Sequence, residues 1–130
     1  MYELSSQSLS KLKGVHPDLV RVAKRAIELT SIDFGISDGV RTQTRQLELV
    51  GQGKSETENS KHLLQSSGYG HAIDVYAWVN GKANWTNRMY GPIVQAFVTA
   101  AIEEEVQLRF GHLWLTFWDS VHIELDSEYY

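Results

Sequence analysis

The segment WDSVHIEL, near the end of the chain, combines three ionisable residues with a regular apolar pattern. From Val121 to Leu125 apolar and polar residues alternate strictly. Because successive side chains of a β-strand point to opposite faces, His122 and Glu124 share the face opposite the apolar row. The alternation predicts a half-buried strand whose polar face carries groups suited to metal binding or proton transfer.

A second alternating segment, at Ala72–Val79, carries Asp74 on the face opposite its apolar residues. Asp74 and His122 are both of a type that binds divalent metals. A catalytic zinc ion usually has three protein ligands, with water in the fourth position. The two strands therefore predict part of a metal site that needs one more ligand.

Three histidines are candidates for that third ligand: His62, His71 and His112. In a regular strand His71 would share a face with Ile73, which argues against it. His62 lies in a polar, Ser-rich segment that could bring it to the site. Residue types and spacing leave the choice open, and they also allow a protein without a metal in which these are ordinary polar positions.

Asp119 lies three positions before His122, so the two side chains would point apart in a straight strand. A turn at Ser120 would bring them closer. A carboxylate beside a metal can act as a general base that takes a proton from the bound water. The alternative is that Asp119 simply caps the turn.

Composition limits the classes of function. The 130 residues predict one domain, residues 1–130. With 12 Lys and Arg against 16 Asp and Glu, and no basic cluster, nucleic acid is not an expected partner. The chain has no cysteine, which excludes a thiol nucleophile and a Cys-based zinc site. We expect neither a signal peptide nor membrane insertion, because no apolar stretch approaches the roughly 18 residues required.

Helices and strands that could position these groups follow from the periodicity of the sequence. The pattern predicts helices at 5–11, at 17–29, from a Thr42 cap to about Val50, and at about 87–105. It predicts strands at 32–37, 72–79, 107–110 and 121–125, a tight turn at Asn80-Gly81, and a loop over 54–70. Helices around several short strands indicate an α+β fold with a small antiparallel sheet.

Four segments, GVRTQTRQLELVGQGK, SKHLLQSSGYGHAIDVYAWVNGK, LRFG and WDSVHIEL, carry a family resemblance from about His16 to Leu125. They resemble the zinc peptidase family of D-alanyl-D-alanine carboxypeptidases and L-alanyl-D-glutamate endopeptidases, and within it the phage endolysins. That family carries the motif S-x-H-x-x-G-x-A-x-D followed by D-x-x-H-x-E. The resemblance implies the α+β fold shared by hedgehog domains and D-alanyl-D-alanine peptidases.

Matched position by position, the resemblance implies that Zn²⁺ is bound by His62, Asp74 and His122. It also implies that Asp119 is the catalytic base. The usual spacing between the first ligand and the Asp is seven positions, but His62 and Asp74 are twelve apart. The five additional residues lie within Leu63–Tyr69, and a loop can absorb such an insertion at small cost.

Three other residues receive roles from the same motifs. Arg41, in a G-x-R-T segment, would stabilise negative charge on the oxyanion or on a substrate carboxylate, with an ion pair to Asp38 as the alternative. Ser60 would bind substrate or order the loop. Glu124 would orient a ligand histidine from outside the metal's own ligand set, or would be a solvated carboxylate.

The implied function is a zinc-dependent endopeptidase that cleaves the L-alanyl-D-glutamate bond of peptidoglycan stem peptides. The alternatives are a D-alanyl-D-alanine carboxypeptidase with the same chemistry and a non-catalytic zinc domain that binds the wall. We expect a monomer without a separate wall-binding module. As an endolysin it would remain in the host cytoplasm until a holin releases it to the wall. The four tryptophans, Trp78, Trp85, Trp114 and Trp118, are candidates for a platform that stacks on glycan or peptide, although most aromatic residues are core. Trp114 and Trp118 are the better candidates because they flank the site.

Overall fold

The computed structural model describes residues 1–53, 60–111 and 121–130, which form four α-helices and a five-stranded sheet. The helices are α1 (Ser6–Lys11), α2 (Pro17–Leu29), α3 (Gln43–Gly51) and α4 (Tyr90–Glu104), and a 3₁₀ turn (Asn87–Met89) precedes α4. The strands are β1 (Phe34–Asp38), β2 (Ala72–Val79), β3 (Lys82–Asn84), β4 (Leu108–Phe110) and β5 (His122–Leu125). The predicted α+β class with a small antiparallel sheet is confirmed.

The sheet has the order β1-β2-β5-β4, with β3 paired to β2, and each of these pairings is antiparallel. One face of β2 packs into the core through Ile73, Val75 and Ala77, as the alternation predicts. In the β2–β5 register Asp74 lies opposite His122. The two polar positions identified in the sequence are therefore direct neighbours on the other face.

Helices α2 and α4 cover the apolar face of the sheet. The buried residues of α2 recur at helical spacing: Leu19, Val22, Ala23, Ala26 and Ile27. The ring centroids of Phe34 in β1 and Phe97 in α4 lie 5.3 Å apart, so α4 packs directly on the sheet. On the outer surface Arg25 of α2 pairs with Glu103 of α4 at 2.7 Å.

Two parts of the sheet differ from the sequence prediction by more than one residue. β1 begins at Phe34 rather than Ile32, because the Thr30 hydroxyl donates to the carbonyl of Ile32 and accepts from its amide, which holds these residues in a turn. The short strand β3 was not predicted. Asn80 and Gly81 both have positive φ, as a type I′ turn requires, and this turn folds β3 back onto β2.

The predicted loop at 54–70 is described from residue 60 onward, and that part contains no helix or extended strand. The segment that contains the five additional residues, Leu63–Tyr69, forms a turn, since the amide of Gln65 donates to the carbonyl of Tyr69 at 2.9 Å. Gly68 has φ +87° in this turn. The amide of His71 donates to the carbonyl of Lys61, so the insertion leaves its two ends side by side.

Within the three described ranges, no helix is both long enough and apolar enough to span a bilayer.

Shortening Phe97 tests the packing of α4 on the sheet. Because Phe97 is fully buried against Phe34, Phe97→Ala should lower the free energy of unfolding by about 3–5 kcal/mol. Urea denaturation followed by circular dichroism measures the change. The neighbouring residue Val98 is 39% exposed, and Val98→Ala should cost only about 0.5 kcal/mol. Equal losses in the two variants would contradict this packing.

Candidate metal centre

Side chains from two strands and one loop meet at Asp74. Its Oδ1 lies 3.1 Å from Nε2 of His62 and 3.2 Å from Nδ1 of His122. One ligand atom from each residue can be chosen so that all three lie within 4.8 Å of one another. His62, Asp74 and His122 therefore form a group that could bind a metal ion.

Hydrogen bonds to the main chain of His62 hold the loop that carries it. The amide of His62 donates to the hydroxyl of Ser60 at 3.1 Å, and its carbonyl accepts from the amide of Arg41 at 2.9 Å. His62 is fully buried and Ser60 is nearly so. No swing of the loop is needed to bring His62 to Asp74.

The remaining ring nitrogen of each histidine faces an acceptor. Nδ1 of His62 lies 2.7 Å from the carbonyl oxygen of Gly39, and Nε2 of His122 lies 2.9 Å from Oε1 of Glu124. A carbonyl and a carboxylate can only accept, so these two nitrogens carry N–H groups. In the neutral tautomers the other nitrogens, which face Asp74, present lone pairs. This arrangement is typical of metal-binding histidines.

Gly39 permits this arrangement because it has no side chain. A Cβ atom at this position would lie 2.0 Å from the carbonyl oxygen of Lys11. Any other residue would push the Gly39 carbonyl away from His62.

Two lone pairs cannot face one carboxylate oxygen at about 3 Å unless protons or a cation lie between them. Burial raises the pKa of Asp74, but hydrogen bonds from His122 and His62 outweigh it and hold that pKa well below its usual range. Burial lowers the pKa of His122, whereas the bonds to Asp74 and Glu124 raise it to about 9. The centre thus favours positive charge, and its two imidazoles and one carboxylate are a donor set that fits a divalent metal.

Arg41 holds the second oxygen of Asp74. Its Nη2 donates to Oδ2 of Asp74 at 2.7 Å, its Nη1 donates to Oε1 of Gln46 at 3.0 Å, and its Nε pairs with Asp38. The Arg41 side chain is only 11% exposed, and Gln46 is completely buried. With Oδ2 bound in this way, Oδ1 faces the two histidines.

His71 lies outside the metal centre, as the strand alternation indicated. Its Nε2 is 2.7 Å from the hydroxyl of Ser67, and its ring packs against His16 and Tyr130. His16 caps α2 by accepting the amide of Asp18 on Nδ1.

Other residues named from the sequence cannot be placed: Asp119, His112, Trp114 and Trp118 lie outside the described residues. The carbonyl of Gly39, in contrast, is a functional group that the sequence analysis missed. Main-chain acceptors carry no residue-type signal, and only the glycine of the G-x-R-T segment hints at this one.

The sequence as a whole matches a known family. The profile described as phage L-alanyl-D-glutamate peptidase matches residues 1–127. The chain belongs to the phage L-alanyl-D-glutamate peptidase family. A curated relative, the L-alanyl-D-glutamate peptidase of Escherichia phage T5, is 33% identical over 117 residues, which are 87% of this chain and 82% of the phage T5 enzyme.

A solved structure supports the same assignment. The crystal structure of the Serratia marcescens L-Ala D-Glu endopeptidase ChiX aligns with a TM-score of 0.87 and 38% identity. The alignment covers 96% of this chain and 90% of ChiX. The predicted membership in the L-alanyl-D-glutamate peptidase family and the predicted fold are confirmed.

Removing one histidine of the centre tests whether these residues bind the metal. His62→Ala should lower the bound metal from one equivalent toward zero, because only two protein ligands remain. Elemental analysis after dialysis against a weak chelator measures the content. His16→Ala is the matched control, since His16 lies outside the centre, and it should keep full occupancy. Full occupancy in His62→Ala would exclude His62 as a ligand.

Metal binding should release protons. With a pKa of about 9, His122 is protonated in the metal-free protein at neutral pH, and a metal displaces that proton. Calorimetric titrations at pH 7 in buffers of different ionisation enthalpy should show about one proton or more released per metal. The affinity should rise with pH and level off above about 9. An affinity independent of pH between 6 and 9 would contradict this charge state.

Proposed function

We propose that the protein is a zinc-dependent endopeptidase that cleaves the L-alanyl-D-glutamate bond of peptidoglycan stem peptides, with residues 1–130 as one peptidase domain. The observation that carries the proposal is the His62–Asp74–His122 group, in a chain matched along nearly its whole length by the L-alanyl-D-glutamate peptidase family. Both related proteins named above carry that bond in their names.

The proposed cofactor is Zn²⁺, held by His62, Asp74 and His122. Two imidazoles and one carboxylate with a further position for water are the ligand set of many zinc peptidases. When bound, zinc lowers the pKa of a water molecule and polarises the scissile carbonyl. Glu124, through its bond to His122, fixes the tautomer and orientation of that ligand.

We infer that Arg41 acts mainly on Asp74. Its guanidinium is bound to Asp74, Asp38 and Gln46, which keeps one carboxylate oxygen directed at the histidines. It also places a fixed positive charge beside the centre, where negative charge develops on the carbonyl oxygen during hydrolysis. Ser60 contributes by accepting the amide of His62 and so ordering the loop.

Asp119 is the proposed catalytic base. The supports are its carboxylate and its position three residues before His122, as in the family motif. One of its oxygens would accept the proton of the attacking water and then pass it to the leaving amino group of D-glutamate.

The biological setting proposed here is host lysis by a phage endolysin. Membership in a phage peptidase family supports it. In this setting the enzyme is a monomer that stays in the host cytoplasm until a holin opens a path to the wall. Sedimentation at micromolar concentration would test the monomer directly.

Digestion of purified peptidoglycan tests the reaction. Mass spectrometry of the fragments and labelling of new amino termini should reveal fresh D-glutamate amino groups, lost with a chelator and restored by zinc. Release of free D-alanine would instead identify a D-alanyl-D-alanine carboxypeptidase. Failure to cleave walls of several chemotypes would leave a non-catalytic wall-binding domain as the better account.

Replacing Asp119 separates metal binding from proton transfer. Asp119→Ala should keep the metal and lower turnover by about 10²- to 10⁴-fold, the usual contribution of a general base. Turnover on a soluble stem peptide and metal content are measured together. Asp126→Asn changes a carboxylate that accepts the amide of Glu128 in the C-terminal turn, and it serves as the matched control. A wild-type rate in Asp119→Ala would exclude it as the base.

A further inference from the structure

An aromatic row extends from the metal centre along the polar face of β2. Tyr76 and Trp78 follow Asp74 on that face at successive alternate positions. The ring centroid of Tyr76 lies 6.2 Å from that of Trp78 and 6.1 Å from that of Trp85, which follows β3. We call Tyr76, Trp78 and Trp85 the aromatic platform.

The two tryptophans of the platform are exposed, unlike the aromatic residues of the core, and Tyr76 is half-buried. Trp78 is 43% and Trp85 is 58% exposed, whereas Phe97 and Tyr90 are fully buried. A single exposed apolar side chain is ordinary, but contiguous exposed rings mark binding surfaces. Tyr76 and Trp78 are neighbours on one face of β2, and Trp85 follows the strand that pairs with β2, which accounts for the contacts between the rings. This arrangement does not require their outer faces to remain open.

Gly35 fixes the position of Tyr76. It lies directly opposite Tyr76 in the β1–β2 register. A Cβ atom at Gly35 would lie 2.3 Å from Cζ of Tyr76, so the ring lies across this glycine. The absence of a side chain at residue 35 therefore allows the Tyr76 ring to lie over the neighbouring strand.

A cleft of about 290 Å³ is lined by Tyr76 and Trp78 together with the polar residues Glu3, Gln7 and Asp33. This volume is close to the lower limit, about 300 Å³, of small-molecule sites. The combination of open rings with hydrogen-bonding groups at the rim suits a ligand that is apolar on its faces and polar at its edges.

A second cleft adjoins the first. It has a volume of about 420 Å³, shares Gln7 and Tyr76 with the first cleft, and extends to Ser37. The hydroxyl of Ser37 donates to the main-chain oxygen of Asp74 at 3.3 Å. The residues that line the two clefts thus extend along the β1–β2 pair from Ser37, which is bound to the main chain of Asp74, to Trp78.

We propose that the aromatic platform binds the glycan strand of peptidoglycan, at the N-acetylated sugar that bears the stem peptide. This inference rests on the proposed function. The faces of a pyranose ring present C–H groups that pack on the negative face of an aromatic ring. Its hydroxyl and acetamido groups project from the edges, where Asp33, Glu3 and Gln7 offer acceptors.

Distance favours the sugar as the occupant. In the stem peptide the carbonyl of the L-alanyl-D-glutamate bond is separated from the sugar by one alanine and a lactyl group, together about 7 Å. Along β2, Tyr76 lies two residues from Asp74, about 7 Å, and Trp78 lies about 13 Å away. A sugar on this side of the scissile bond would therefore reach the platform.

Charge also favours the sugar over the acidic half of the stem. The peptide beyond the scissile bond begins with D-glutamate, which carries a carboxylate. Glu3 and Asp33 at the rim would repel it, whereas they would accept hydrogen bonds from a neutral sugar. The platform is therefore assigned to the glycan side of the bond.

Two soluble substrates test the proposal. One is the stem peptide alone, and the other is the same peptide on its N-acetylglucosaminyl-N-acetylmuramic acid disaccharide. The wild-type protein should show a higher kcat/KM for the disaccharide peptide. Trp78→Ala should reduce the ratio of the two values by about tenfold, equivalent to about 1.4 kcal/mol. Trp78→Phe should retain most of the preference because it keeps a flat ring.

The control is Tyr129→Ala, which removes an exposed aromatic residue outside the platform and should leave the ratio unchanged. Thermal unfolding of each variant is measured alongside. If Trp78→Ala lowers both kcat/KM values equally, Trp78 is only structural and the proposal is wrong. A wild-type ratio near one would overturn it as well.

Direct binding separates this proposal from the proposed function. Tetra-N-acetylchitotetraose, a glycan without peptide, is titrated while the indole N–H signals of Trp78 and Trp85 are followed by NMR. Saturable shifts of these two signals in the wild type, with the Trp85 shift lost in Trp78→Ala, support the platform even if neither peptide substrate is cleaved. Cleavage of both substrates without preference and without such shifts would leave the endopeptidase standing and overturn the platform.

Discussion

The structure depends on one buried carboxylate that satisfies three cationic or hydrogen-bonding partners at once. Oδ1 of Asp74 lies between His62 and His122, while Oδ2 accepts from Arg41. A buried carboxylate is costly without compensating charge. The surroundings therefore favour positive charge at this point. A divalent metal would supply that charge, and Asp74 and the two histidines would supply three ligand atoms of suitable type.

Several elements of the fold position the residues around Asp74. The antiparallel register of β2 and β5 places Asp74 beside His122, and the bond between the His62 carbonyl and the Arg41 amide fixes the loop on the other side. The Gly39 carbonyl and Glu124 then direct the outer ring nitrogens away from the centre. The insertion after His62 closes into its own turn, so it lengthens the chain between two ligands without separating them.

The features that could be predicted from the sequence are those set by residues close together in the chain. Alternation identified β2 and β5 and the faces that carry Asp74 and His122, because strand periodicity is local. Alternation did not select His62 as the third ligand; that choice required the family motif. It also did not reveal the hydrogen bond from Arg41 to Asp74 or the one between His62 and the Gly39 carbonyl, because each of these joins segments that are distant in sequence. Exposure is also non-local: the sequence favoured Trp114 and Trp118, which lie outside the described residues, and only the fold shows that Trp78 and Trp85 are exposed. The role of Asp119 stays a prediction.

X-ray absorption at the zinc edge of the purified, zinc-loaded protein tests the central claim most directly. The account predicts four-coordinate zinc with two imidazole nitrogens at about 2.0–2.1 Å and oxygen ligands in the remaining positions. The amplitude of the imidazole multiple scattering should fit two histidine ligands. A spectrum without imidazole scattering, or with six oxygen ligands, would contradict a metal centre built on Asp74 and the two histidines.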